Sequence, residues 1–150
     1  MPFEQELLID LLKEVNKRIG EEVREVLSLH GIAAASMIVA KNIKIEPGIT
    51  ISELARRTGI AKSHVSNIIK ELSQRGWVEI QADASDHRLL RLFLTQSATK
   101  LMEVVGAAIR KRLSDLLSGL SEARTTEIIT SLQDIQNALE QAKEKECTND

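Results

Sequence analysis

The 150-residue sequence predicts a mainly α-helical chain with one small β-hairpin near its middle. Apolar residues recur at steps of three and four along most of its length, the period of helices with one buried face. Glycines at 31, 59 and 76 close successive periodic segments. Only residues 77–95 break the pattern, with the short β-branched or aromatic runs "WVEIQA" and "LLRLFLT" on either side of the polar "DASDHR".

The first element is a helix over 4–29. Leu7, Leu8, Leu11, Leu12, Val15, Ile19, Val23, Val26 and Leu27 keep the helical period, and the standard rise makes it about 39 Å long. Gly31 stops it. The stretch "IAAASMIVAKNIKI" is short and rich in small residues, which suits a tightly packed second helix, and "EPG" at 46–48 is a turn. "TISE" at 50–53 has the form of a capping box. The Thr50 hydroxyl can accept from the Glu53 amide while the Glu53 carboxylate reaches back to the amide of Thr50.

A short third helix, "ISELARRTG", follows and ends at Gly59. A fourth, "IAKSHVSNIIKELSQRG", ends at Gly76. Two helices joined by a tight Gly-containing turn form the helix-turn-helix pattern. In the fourth helix Val65, Ile68, Ile69 and Leu72 make the apolar stripe, which turns Lys62, Ser63, His64, Ser66, Asn67 and Lys70 outward. The hairpin comes next. Its tip needs only turn formers, which Asp83, Ser85 and Asp86 supply, so His87 and Arg88 are surplus to the turn. Beyond it, helical periodicity returns from Gln96 to Leu117 and again from Glu122. In the last segment Ile128, Leu132, Ile135, Leu139 and Ala142 form a heptad seam that prefers a partner helix.

Bulk properties exclude several classes. No apolar run approaches the roughly 20 residues needed to cross a bilayer, and "MPFEQELLID" lacks the basic start of a secretory signal. A cytoplasmic protein with no membrane partner is expected. Cys147, the only cysteine, sits in "KEKECTND", so no disulfide framework or thiolate metal site is expected, and residues 147–150 read as a polar tail. His30, His64 and His87 share no ligand spacing, there is no phosphate-cradling Gly loop, and no Tyr occurs. No enzyme, cofactor or metal is therefore expected. The net charge is −2, but residues 51–95 carry +2 while 1–50 and 96–150 carry −2 each. The middle is the part suited to an anionic partner.

"ITISELARRTGIAKSHVSNIIKELSQRGWVEI", followed by "DASDHR" and "LFLT", resembles the winged helix-turn-helix of the multiple antibiotic resistance regulator (MarR) family. The sharpest marks are Asp86-x-Arg88 in the wing, Leu94-Thr95 after it, and Leu54-Ala55 in the third helix. The order of long and short elements extends the resemblance over nearly the whole chain. It implies a single domain over 1–150, with a DNA-binding lobe at 32–95 and dimerisation helices at 1–31 and 96–146. Leu7, Leu8, Leu11, Leu132, Ile135 and Leu139 would form the dimer contact.

The resemblance further implies a homodimeric transcriptional regulator, a repressor, bound to double-stranded DNA at an inverted repeat. Lys62, Ser63, His64, Ser66 and Asn67 would face the major groove, with Asn67 suited to adenine, and Lys62 and Lys70 to phosphates. Asp86, His87 and Arg88 form the wing tip. Arg88 would enter the narrow minor groove, held by an ion pair with Asp86. Family members commonly respond to small aromatic acids, drugs, metals or oxidants near the crevice between dimer helices and DNA-binding lobe. A small aromatic or anionic effector is the partner class this suggests, although no residue set selects one. The chain departs from the family pattern at Ala61, where relatives often carry a capping Ser, at Asn67, where many have Arg, and at Trp77, a common Leu position read here as core. The rival function is a winged helix used only for protein contact, but an acidic or apolar outward face on the fourth helix, which that role needs, is missing.

Overall fold

In the computed structural model, which describes residues 2–147, six helices and one hairpin follow in the order α1 (Phe3–Leu29), α2 (Ala34–Ile45), α3 (Ile51–Thr58), α4 (Lys62–Gln74), β1 (Val78–Ala82), β2 (Leu90–Leu94), α5 (Gln96–Leu116) and α6 (Glu122–Cys147). The expected mainly α fold with a small hairpin is the observed one. Residues up to Leu113 form one compact unit, and those from Ser114 onwards form a second. No residue of α6 is buried. Because "KEKE" is composed of good helix formers, α6 runs through Cys147. Thr148 to Asp150, the rest of the expected tail, lie outside the described residues.

Helix ends follow the local chemistry. At the end of α1 the amide of Ile32 donates to the Leu27 carbonyl at 2.9 Å and that of Gly31 to Ser28 at 2.9 Å. Gly31 takes a φ of 68°, which is open to glycine at no steric cost. Gly59, between α3 and α4, takes a φ of 69° in the same way and makes the tight turn of the helix-turn-helix. At the start of α3 the Thr50 hydroxyl accepts from the Glu53 amide at 3.2 Å. The return half of the expected capping box is replaced, because the Glu53 carboxylate is taken by Arg56 and Arg57 on the same helix.

The first unit holds two cores. Val39 and Ile43 of α2, Leu54 of α3, Val65, Ile68, Ile69 and Leu72 of α4, and Val78 and Leu92 of the hairpin form one, with Ile49. Leu27, Ile32, Met37 and Val105 form the other, joining the end of α1 to α2 and α5. The two strands pair antiparallel, with Val78 opposite Leu94 and Ala82 opposite Leu90. A bridge from Ile49 to Leu92 adds a residue of the α2–α3 connection to the hairpin edge. The "EPG" turn thus also anchors the wing. At its foot the Thr95 hydroxyl donates to the Gly76 carbonyl at 2.8 Å and accepts from the Ala98 amide at 3.3 Å, which caps α5. No single helix among the described residues is long and apolar enough to cross a membrane.

Candidate nucleic-acid interface

Burial of Val65, Ile68, Ile69 and Leu72 fixes which side of α4 faces out. Lys62, Ser63, His64, Asn67 and Lys70 are exposed and Ser66 is half-buried. Spacing sorts them into two rows: Lys62 and Ser66 four apart, and Ser63, Asn67 and Lys70 four and three apart. Helix α4 begins at Ala61 with no side-chain cap. Its first amides are left for solvent or a ligand.

The hairpin tip is built from two carboxylate turns. Asp83 accepts from the amides of Ser85 and Asp86, both at 3.0 Å. Asp86 accepts from the amide of Arg88 at 3.0 Å. The expected ion pair between Asp86 and the Arg88 guanidinium is not formed, because Asp86 Oδ1 is directed at the Arg88 amide and shapes the turn. Among the described residues the Arg88 guanidinium is in no ion pair. Asp86, His87 and Arg88 are all exposed.

Arg91, a residue that its position in a strand did not single out, holds the tip. Its Nε donates to Asp83 Oδ1 at 3.0 Å, and its Nη1 donates to the Gly48 carbonyl at 3.2 Å. The nearest sequence signal was a basic residue inside an otherwise apolar strand. The amide of Asp86, then the Arg91 guanidinium and the amide of Ser85, hold the Asp83 carboxyl below the usual carboxylate range. Arg56, with Arg57 behind it, does the same for Glu53, and Arg57 also pairs with Glu46.

The structure brings part of the expected set together. Lys62 and Ser66 from α4, Arg88 from the wing, and Thr50 and Ser52 at the start of α3 line one open cleft. Ser63, His64, Asn67, Lys70, Asp86 and His87 do not line it. Leu7, Leu8 and Leu11 on α1 are exposed, as are Leu132 and Leu139 on α6, whereas Ile135 is half-buried.

A short helix, a tight glycine turn, a second helix with a polar outer face and a two-stranded wing together define a winged helix-turn-helix protein. The sequence pattern of the MarR family matches residues 30–89, from the end of α1 to the wing tip. The transcriptional repressor MprA of Escherichia coli (strain K12) is 25% identical over 149 residues, covering 95% of this chain and 82% of its own. Wild-type MarR from E. coli in its apo form matches with a TM-score of 0.76 at 21% identity, over 90% of this chain and 96% of that one. A mutant MepR from S. aureus bound to an oligodeoxyribonucleotide matches with a TM-score of 0.68 at 20% identity, over 88% and 97%. Over residues 30–89 the chain is similar to the MarR family, and over nearly its whole length it is similar in fold to MarR and MepR.

Proposed function

We propose that the protein is a sequence-specific repressor that binds an inverted repeat in double-stranded DNA as a homodimer and is released by a small aromatic anion. The observation that carries this reading is the cleft shared by Lys62 and Ser66 of α4 and Arg88 of the wing. It opens between the helix that would occupy a major groove and the hairpin that would reach the adjacent minor groove. Asn67, with a donor and an acceptor on one exposed side chain, suits the edge of adenine, and Ser63 and His64 suit base or phosphate. Lys62 and Lys70 position the helix on phosphates. Leu7, Leu8, Leu11, Leu132, Ile135 and Leu139 supply the dimer contact.

Effector release is supported by an open groove between α2 and α5. Met37, Met102 and Ile109 give it apolar surface, and Lys41, Lys44 and Arg110 outnumber the one carboxylate, Glu103, among its charged lining residues, a balance that suits an aromatic carboxylate. The test is selection of bound duplexes from a random pool by the full chain, followed by titration of the selected duplex with benzoate. The reading expects an enriched inverted repeat and weaker binding as benzoate rises. Recovery of no enriched sequence contradicts DNA reading, and benzoate-independent affinity contradicts the effector class.

A further inference from the structure

The core of the α3–α4–hairpin lobe and the core at the ends of α1, α2 and α5 meet at one side chain. Among the described residues, Trp77 is the partly buried hydrophobic residue that packs against both. Arg75 covers its ring, with the guanidinium carbon 3.8 Å from the ring centroid. The same guanidinium donates to the carbonyl of Gly31 at 2.9 Å, just past the end of α1. It also lies 3.6 Å from the Glu71 carboxylate, one turn back on α4. One cation therefore ties the end of α4 to the end of α1 while pressing on the wedge between the two cores.

Packing alone does not lock this seam. Ser36, Leu72, Trp77 and Met102 are among the residues around a cavity of about 30 Å³, room for about one water molecule. Interdigitated side chains resist rotation because they leave no space to move into, and here some space is left. Directional contacts then set the angle. A planar guanidinium can stack on an indole and donate in its own plane at once, which an ammonium cannot.

We propose that Arg75 and Trp77 are positioning residues for DNA reading, forming the joint that fixes α4 relative to α1 and so the tilt and separation at which two copies present their recognition helices. This rests on the DNA-reading role proposed above. Neither residue touches DNA in this scheme. An altered joint leaves each reading surface intact and spoils the match between two surfaces and two half-sites, and the advantage of simultaneous engagement is lost when geometry forbids it.

The test compares the full-length wild type with Arg75→Met, Arg75→Lys and Trp77→Leu on two probes. One is the paired duplex selected by the wild type, and the other is a duplex carrying a single half-site. Arg75→Met should bind the paired duplex about tenfold more weakly while changing single half-site affinity by less than about twofold, a loss in the range of ordinary coupling between sites. Its salt slope should stay at the wild-type value, because no phosphate contact is removed. Arg75→Lys should recover part of the loss, and adding Trp77→Leu to Arg75→Met should cost less than the two single losses combined. Emission from Trp77, the only Trp in the chain, should shift in Arg75→Met without DNA. An equal loss on both duplexes, or a slope shallower by about one, would make Arg75 a phosphate contact and overturn the proposal. Wild-type affinity of Arg75→Met for the paired duplex overturns the joint alone. Failure of the wild type to select any duplex overturns the DNA-reading role and the joint with it.

Discussion

Arg88 stands at the wing tip with its amide fixed by Asp86 and its guanidinium in no ion pair among the described residues. Arg88→Ala should weaken operator binding and make the dependence of log affinity on log salt shallower by up to about one unit. Helix content and dimerisation should not change, since the side chain belongs to neither core. Arg88→Lys should recover only part, having charge without the planar fork. Asp83 offers a separate check on the turn beneath. Its folded carboxyl lies below the ordinary value, so its contribution is fully present above the unfolded value near pH 3.9. That contribution is lost as the pH falls through the lower, folded value. The amide resonance of Asp86 should therefore titrate in NMR spectra with a midpoint below about 3.9, and Asp83→Asn should abolish that titration. A midpoint at or above the ordinary value contradicts the hydrogen-bonded turn. The turn-forming role of Asp83 was legible in the sequence because it needs only neighbours two and three residues on. Arg91 was not legible in the same way: one of its acceptors is the Gly48 carbonyl, far away in sequence, and only the bridge between Ile49 and Leu92 brings that turn alongside.

At the scale of elements, two helix starts make opposite predictions. The Thr50 hydroxyl caps α3, so Thr50→Ala should cost about 1 kcal/mol in urea unfolding. Helix α4 has Ala at its cap position, so Ala61→Ser should add about 1 kcal/mol. A loss on Ala61→Ser would show that the cap geometry does not accept a hydroxyl there. The helix boundaries were readable because glycines with positive φ end the short helices where the periodic pattern also ends. The partner of the Glu53 carboxylate was not readable. The Thr50 amide, Arg56 and Arg57 all lie within one turn of it, and spacing alone does not rank a neutral donor against two cations. The structure favours the cations, as expected for charge-assisted bonds. The Asp86–Arg88 expectation erred for a related reason: an i, i+2 spacing allows either the amide or the guanidinium, and the tight turn favours the amide.

At the scale of the whole molecule, the dimer seam and the spacing of half-sites carry the account. Leu132 and Leu139 are 47% and 67% exposed within one chain, more than a single-chain core would leave. Leu132→Glu or Leu139→Glu should remove apolar burial worth roughly 1.5 to 3 kcal/mol per copy and place an unpaired charge in the seam. Light scattering at micromolar concentration should show a dimer for the wild type and a monomer for the variants, and a well-folded wild-type monomer would contradict the seam. The heptad pattern made this face visible in the sequence. What covers that face was not visible, since periodicity reports only that a face is apolar. The central claim is that two copies dock their recognition helices in successive major grooves on one side of the duplex. It is tested most directly by titrating the wild type against its selected duplex and against the same duplex with about five base pairs inserted between half-sites, half a helical turn. The account predicts that the insertion reduces affinity to that of a single half-site, because one recognition helix then faces the wrong side of the duplex. Equal affinity for the two duplexes would contradict it.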